Sequence, residues 1–298
     1  MLPVWLPWYA SFVKIERIII RKLRALRERD DLLVGPSGHV FSAACLRGLN
    51  GSGKTSYLEA IAELWQWFRR CTKQRAYAKP ESKLLPDAEL VAVLFVDLPG
   101  PKPRMWLAFG GADAVSTLPP GLENPYTIKG SRVLWDQAVL DFWGTTFEQA
   151  ETGYSQDKRP PNMVFIEAEN KWVPPVRKGD LLSRHPTPAF VVVARYLPLA
   201  RGQSHLEGLL RTLFLARRER WDILAKCLAQ LRRGFAQLDG FEDDQRPRFL
   251  LPSGTRITVD KLSAGERSLL INLCMLLRWL SEGGILLLDE PALHQHLS

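Results

Sequence analysis

Long apolar runs and paired cysteines are both missing from this 298-residue sequence, and each absence excludes a class of protein. No uninterrupted apolar stretch reaches the roughly 18 residues that a membrane-spanning helix needs, so we expect no membrane partner. The four cysteines lie far apart and form no Cys-x-x-Cys pair, which indicates neither a zinc site nor a disulfide framework. We therefore expect a reducing, cytoplasmic location.

Basic residues outnumber acidic ones, with 40 Lys and Arg against 32 Asp and Glu, and the net charge is +8. This surplus suits DNA or another polyanion as a partner, but it is also ordinary surface charge, and both interpretations stay open. Two basic groups could follow a phosphate backbone or simply be solvated on helix faces. They are Arg69, Arg70, Lys73, Arg75 and Lys79, and Arg217, Arg218, Arg220, Arg232 and Arg233.

The N-terminal part of the chain divides into an extension and a strand–loop–helix unit. Residues 1–11 are apolar and aromatic, but no positive charge precedes them and two prolines interrupt them, so they do not indicate a signal peptide. We favour a partner contact or a start codon assigned too early. Residues 12–78 predict strands at Val13–Ile20 and Phe41–Leu46, a glycine-rich loop, and a helix from Lys54 to about Arg70.

The rest of the chain changes pattern twice. Residues 79–204 predict a β-hairpin-rich lobe, in which the polar stretch Glu151–Asn162 is expected to be a surface loop. Residues 205–247 carry apolar residues at helical spacing as far as Leu238 and favour two amphipathic helices. Residues 248–298 predict a strand pair around Pro252-Ser253-Gly254, a helix from about Gly265 to Leu280, and a strand at Ile285–Leu288. The strands expected in residues 79–204 are Leu90–Val96, Met105–Phe109, Met163–Glu167 and Phe190–Ala194.

The segment GLNGSGKT, which begins at Gly48, fits the pattern G-x-x-x-x-G-K-[ST] between a predicted strand and a predicted helix. Glycines in such a loop let backbone N–H groups surround phosphates, and the helix that follows presents its positive N-terminal end. Lys54 would reach the β- and γ-phosphates and Thr55 would bind Mg²⁺. The residues predicted to contact the nucleotide here are Gly48, Asn50, Gly51, Ser52, Gly53, Lys54, Thr55 and Ser56.

The run ILLLDE, which ends at Glu290, is an apolar strand followed by two carboxylates. Acids at the carboxyl end of a buried parallel strand lie where a nucleotide binds in α/β proteins. Asp289 is predicted to hold the magnesium shell, and Glu290 to orient and polarise the attacking water, because phosphoryl transfer depends on positioning and electrostatics.

The segment LSAGE begins the predicted helix before that strand. Ser263 and Glu266, three residues apart, form the pattern of a capping box, in which each side chain bonds the other residue's backbone N–H. This structural interpretation does not exclude a second role.

Together the loop at Gly48, the LSAGE segment and LLLDEP resemble the phosphate loop, signature motif and acidic strand of ABC-type ATPases. The resemblance implies an α/β, P-loop NTPase head with a mixed β-sheet, interrupted by the β-hairpin-rich and helical lobe. It also implies ATP and Mg²⁺ as cofactors. In that family the signature contacts the γ-phosphate bound to the opposite protomer, so Ser263, Gly265 and Glu266 would act across an ATP-dependent homodimer.

The branch of the family is indicated by RIIIRKLRAL and GLNGSGKT, which resemble RecF-like and structural-maintenance-of-chromosomes ATPases, and by DEPALHQHL, which is similar to a stretch of OLD-family ATPases. These similarities imply ATP hydrolysis in prokaryotic DNA maintenance or antiphage defence, with a nuclease or other effector. A nucleotide-gated scaffold with little turnover and a RecF-like repair ATPase stay open. The wide separation of the loop and Ser263 argues against a transporter subunit.

Some features depart from this family. Ala292 and Gln295 replace its usual Glu and Leu, and the sequence ends soon after Glu290, before the expected switch histidine. We therefore expect either a fragment or a head whose remaining part lies elsewhere. His294 and His296 favour an interface contact over a metal site. The glutamine of the loop that joins the two lobes has three candidates, Gln137, Gln149 and Gln156.

Overall fold

The computed structural model of the chain shows a mixed α/β protein, as the sequence predicts at that level. It describes residues 13–119, 128–129, 132–133, 137–153, 159–167, 190–196, 206–216, 218–230, 237–241 and 246–289. The chain forms two compact units. The first contains Met1–Met163, Pro188–Val193 and Ser281–Leu287, and the second contains Val164–Thr187, Ala194–Leu280 and Leu288–Ser298.

An antiparallel four-stranded sheet organises the first unit. Its strands are β1 (Lys14–Leu23), β2 (Leu26–Leu32), β3 (Leu90–Val96) and β4 (Met105–Gly110), in the order β2-β1-β3-β4. Every residue of β3 is buried, as a continuous apolar run predicts for a central strand. The predicted strands at β1, β3 and β4 are confirmed.

Strand β2 was not predicted, because its sequence LRERDDL has no apolar alternation. It lies at the edge of the sheet, where polar residues face solvent, and forms a hairpin with β1. Cross-strand ion pairs support this pairing: Arg17 Nε lies 2.8 Å from Asp30 Oδ1, and Arg21 Nε lies 3.3 Å from Glu28 Oε1.

The long helix α1 (Lys54–Gln74) carries the aromatic core of the first unit. Trp65 and Phe68 pack edge to face with Trp143, which lies on α4 (Gln137–Thr152). Gly144 permits this close approach, since a Cβ there would lie 2.8 Å from the Thr72 carbonyl oxygen. The remaining elements of this unit are α2 (Leu84–Asp87), α3 (Ala112–Ser116), β5 (Ile128–Lys129) and β6 (Arg132–Val133).

An ion pair between a buried arginine and an exposed glutamate joins the same two helices. The Arg69 guanidinium donates to both carboxylate oxygens of Glu151, at 2.8 Å and 2.6 Å, and its side chain is 5% exposed. The expectation that Glu151–Asn162 is a surface loop is therefore wrong at both ends. Glu151 lies on α4, and Asn162 is buried.

The strand predicted at Phe41–Leu46 is not present. This segment has no regular secondary structure beyond the Val34–Val40 bridge that precedes it, and its residues are exposed except for half-buried Leu46. A short apolar run without alternation fits several environments, so pattern alone did not exclude this outcome.

A second sheet has the order β12-β7-β8, formed by β7 (Met163–Ile166), β8 (Val193–Arg195) and β12 (Ile285–Leu288). The Ile285 N–H donates to the Asn162 carbonyl and the Asp289 N–H to the Ile166 carbonyl. Because both hydrogen bonds advance in the same direction, β12 runs parallel to β7. Strand β12 is less buried than predicted, with Leu286 37% exposed.

Helices dominate the second unit. α5 (Leu206–Ala216) and α6 (Arg218–Gln230) both contact α7 (Ala264–Trp279), which confirms the amphipathic-helix interpretation. The prediction that the helical apolar pattern continues to Leu238 is wrong, because Leu238 lies in β9 (Gln237–Phe241). Strands β10 (Pro247–Leu250) and β11 (Arg256–Thr258) form the predicted hairpin, and β9 completes a sheet of order β11-β10-β9.

None of the helices in the described ranges is long and apolar enough to span a membrane.

Candidate functional site

The phosphate-loop candidate runs directly into α1. Gly51 and Gly53 have positive φ angles of 77° and 90°, which only glycine adopts without strain. Gly53 is the N-cap of α1, and no side chain caps the helix at that position. The first helical hydrogen bond joins the Tyr57 N–H to the Gly53 carbonyl at 2.9 Å. The loop–helix half of the predicted arrangement is present, whereas the preceding strand is not.

Lys54 folds back over the loop. Its Nζ donates to the Gly48 carbonyl at 2.9 Å and to the Leu49 carbonyl at 3.0 Å. Ser52 N–H donates to the Leu49 carbonyl at 3.2 Å, which closes a turn. The ammonium group therefore lies against the loop backbone, and its charge would favour a phosphate bound there.

Neighbouring side chains pack closely on two glycines of this loop. A Cβ at Gly48 would lie 2.7 Å from Ser52 Oγ, and one at Gly53 would lie 2.8 Å from Leu26 Cγ. Side chains at these positions would clash with Ser52 and Leu26, so the packing of the loop requires glycine at both. Among the predicted nucleotide contacts, Asn50 and Thr55 are exposed and Ser56 is buried.

The acidic candidate Asp289 follows β12. It is 4% exposed, and its backbone N–H donates to the Ile166 carbonyl at 3.0 Å. The strand thus delivers a buried carboxylate at its carboxyl end, as predicted. Glu290, the predicted catalytic base, lies outside the described residues, as do Ala292, His294, Gln295 and His296.

The LSAGE segment forms a complete capping box at the start of α7. Ser263 Oγ accepts a hydrogen bond from the Glu266 N–H at 3.2 Å, and Glu266 Oε2 accepts one from the Ser263 N–H at 2.8 Å. The structural interpretation of this motif is confirmed. Ser263 is exposed, and Gly265 lies in the first turn.

A network behind this segment escaped the sequence analysis. Arg246 Nη2 donates to Glu207 Oε1 at 2.7 Å and to Asp260 Oδ1 at 3.3 Å, and Glu207 is buried. A hydrogen bond from the Thr258 side chain, assisted by the Arg246 charge, lowers the pKa of Asp260. Nothing in the local sequence pattern links Glu207 to Arg246.

Several predicted roles change in the structure. Gln137 and Gln149 lie on helix α4 and not in a connecting loop, and Gln156 lies outside the described residues. Three arginines of the first basic group are paired with carboxylates: Arg69 with Glu151, Arg70 with Glu81 and Arg75 with Asp141.

The second basic group is only partly described. Arg218 lies 3.6 Å from Asp222, and Arg220 donates to the Leu277 carbonyl, whereas Arg217, Arg232 and Arg233 lie outside the described residues. No cluster of three or more His, Cys, Asp or Glu suited to a metal ion occurs in the described part of the chain.

No protein-family model matches the chain, and no curated protein matches its sequence.

Proposed function

We propose that this chain is an ATPase of the P-loop class with an ABC-type head, which binds ATP with Mg²⁺ and hydrolyses it in a nucleotide-sandwiched homodimer. The observation that supports this proposal most is the loop before α1. It combines two left-handed glycines, an N-cap without a side chain, and a lysine folded over the loop. That combination favours a polyphosphate over other anions.

The proposed mechanism assigns one task to each group. Backbone N–H groups of the loop and the start of α1 bind the phosphates, and Lys54 balances their charge. Thr55 and Asp289 would each be a ligand of Mg²⁺, and the ion would supply charge neutralisation at the reacting phosphoryl group. Glu290 accepts the proton of the attacking water. Ser263, Gly265 and Glu266 act on the nucleotide bound by the second copy.

The biological setting is proposed from the sequence resemblance alone. It is prokaryotic DNA maintenance or antiphage defence, with a nuclease or other effector as partner, DNA as a candidate ligand, and a cytoplasmic location. Turnover that is immeasurable despite tight ATP binding would instead favour the nucleotide-gated scaffold.

The test of ATP binding is Lys54→Ala, with Lys226→Ala as its control. Both changes remove one lysine from a helix, but Lys226 is exposed on α6. We expect Lys54→Ala to weaken ATP binding by about 100-fold or more, because the phosphate charge loses its main counter-charge. Isothermal titration calorimetry measures this. Equal affinities for the two variants would contradict the proposal.

The test of hydrolysis and dimerisation is Glu290→Gln. The amide cannot accept the water proton, so we expect turnover to fall by at least about 100-fold and an ATP-bound dimer to accumulate. Phosphate release and light scattering report these two effects. Turnover at the wild-type rate would remove Glu290 from its proposed role.

A further inference from the structure

The hairpin formed by β1 and β2 contacts the phosphate loop and the start of α1 at three points. Leu26, the first residue of β2, packs on Gly53. Arg24, in the hairpin turn, reaches Ser56 and Glu59 of α1. Asp31, further along β2, binds Tyr57. Every partner lies within the seven residues from Gly53 to Glu59.

The contact at Leu26 controls the shape of the loop. Leu26 is 7% exposed, and a Cβ built on Gly53 would lie 2.8 Å from its Cγ and 2.9 Å from its Cδ2. The leucine therefore fills the space that a larger residue at the N-cap would need. Gly53 has a φ of 90°, and glycine is conformationally permissive, so its backbone is not rigid by itself. The packed side chain of Leu26 supports this conformation.

The two polar contacts hold the hairpin on the helix. Arg24 Nη1 donates to Glu59 Oε2 at 3.0 Å and lies 3.4 Å from Ser56 Oγ. Tyr57 is buried and its hydroxyl donates to Asp31 Oδ2 at 3.0 Å. Burial and the Asp31 charge both raise the pKa of Tyr57, so this hydroxyl stays a donor at neutral pH.

We propose that the turn of the first hairpin is a positioning element for the phosphate loop, with Leu26 as its contact residue and Arg24 as its link to α1. The proposal rests on the ATP site proposed above. Neither residue needs to touch the nucleotide. They act by holding Gly53 and the first turn of α1 in the conformation that directs backbone N–H groups toward phosphate.

The hairpin itself supplies a matched control. Leu23 faces Leu26 across the turn, and it is fully buried, with an exposed fraction of 0%. Leu23→Ala and Leu26→Ala therefore delete the same side chain from paired positions, but Leu26 is the residue that packs on Gly53. Any loss of ATP affinity caused only by a weakened hairpin should be at least as large in Leu23→Ala.

The experiment compares the two variants by ATP titration and by amide hydrogen exchange of a peptide that covers residues 48–58. We expect Leu26→Ala to weaken ATP binding about tenfold more than Leu23→Ala and to accelerate exchange in that peptide selectively. Leu26→Ile, which keeps most of the contact, should restore both. Equal affinities together with equal exchange in the two alanine variants would overturn the proposal.

A second pair of variants avoids the hydrophobic core. Arg24→Ala removes the link to α1, whereas Arg27→Ala removes an exposed arginine from the same hairpin. We expect faster exchange across residues 48–58 only in Arg24→Ala. A wild-type chain that fails to bind ATP would refute the proposed function. Hydrogen exchange requires no nucleotide, so it would still decide whether the hairpin positions the loop.

Discussion

The helices α1 and α7 both begin next to glycine-containing motifs, but their N-termini are completed in opposite ways. At α7, Ser263 and Glu266 form reciprocal hydrogen bonds, and each side chain accepts from the backbone N–H of the other residue. At α1, the N-cap is a left-handed glycine that has no side chain to offer. The comparison teaches that a positive helix end can be closed by its own side chains, as at α7, or carry no side-chain cap, as at α1.

The largest effect should come from replacing the left-handed glycine at the N-cap of α1. Gly53→Ala forces an alanine into φ of 90° and places its Cβ against Leu26. The left-handed conformation alone costs about 1–2 kcal/mol, and we expect ATP binding to fall by more than about 100-fold. Calorimetric titration and thermal unfolding measure these effects. Wild-type ATP affinity in this variant would contradict the idea that the start of α1, unlike that of α7, needs a left-handed glycine to bind a ligand.

The next effect concerns the cap of α7. Ser263→Ala removes an acceptor from the Glu266 N–H and should lower the free energy of unfolding by about 1 kcal/mol, measured by urea denaturation. Ser263→Asp keeps a capping oxygen and should retain stability. Because its charge would repel a phosphate on the second copy, it should still abolish ATP-dependent dimerisation. A Ser263→Asp chain that dimerises normally would leave Ser263 with a capping role alone.

A smaller effect is expected at Glu266. Glutamine can still form a capping box but lacks the charge that favours a helix N-terminus. We expect Glu266→Gln to reduce stability by about 0.3 kcal/mol, measured against Ser263→Ala in the same urea series. A loss as large as that of Ser263→Ala would show that the charge, and not the hydrogen bond, completes this end.

The smallest effect is a pH dependence just before α7. The folded-state pKa of Asp260 lies below its ordinary value of 3.8, so its stabilisation is present above that value and disappears as pH falls through the folded pKa. The stability difference between wild type and Asp260→Asn should therefore be constant from neutral pH to about pH 5 and shrink at lower pH. A constant difference down to about pH 2 would contradict this assignment.

Local sequence signals predicted much of this fold. Three signals depend only on residues close together in sequence, and the structure confirms each of them. They are the apolar spacing in α1, the continuous apolar run of β3, and the serine and glutamate of the α7 cap. Helix α4 was missed although Val139, Trp143 and Phe147 recur every four residues. That signal was sufficient to find it.

The remaining features depend on distant partners. The pairing of strand β2 with β1 is supported by charges on β1, which no pattern within β2 encodes. The hairpin contact at Gly53 and the Arg246 network join residues far apart in sequence. The position of the glycine loop at the start of α1 could be predicted, but not the side chains that support it.

The hydrogen bonds between Asn162 and Ser281 have a consequence for the order of folding. Asn162 Oδ1 accepts from the Ser281 N–H and hydroxyl, and these residues are 119 positions apart. At about 5–20 residues per second, a ribosome would need several seconds or more to supply Ser281 after Asn162. During that interval β7 has no β12 beside it, so the nascent chain would expose one edge of an apolar strand to chaperones.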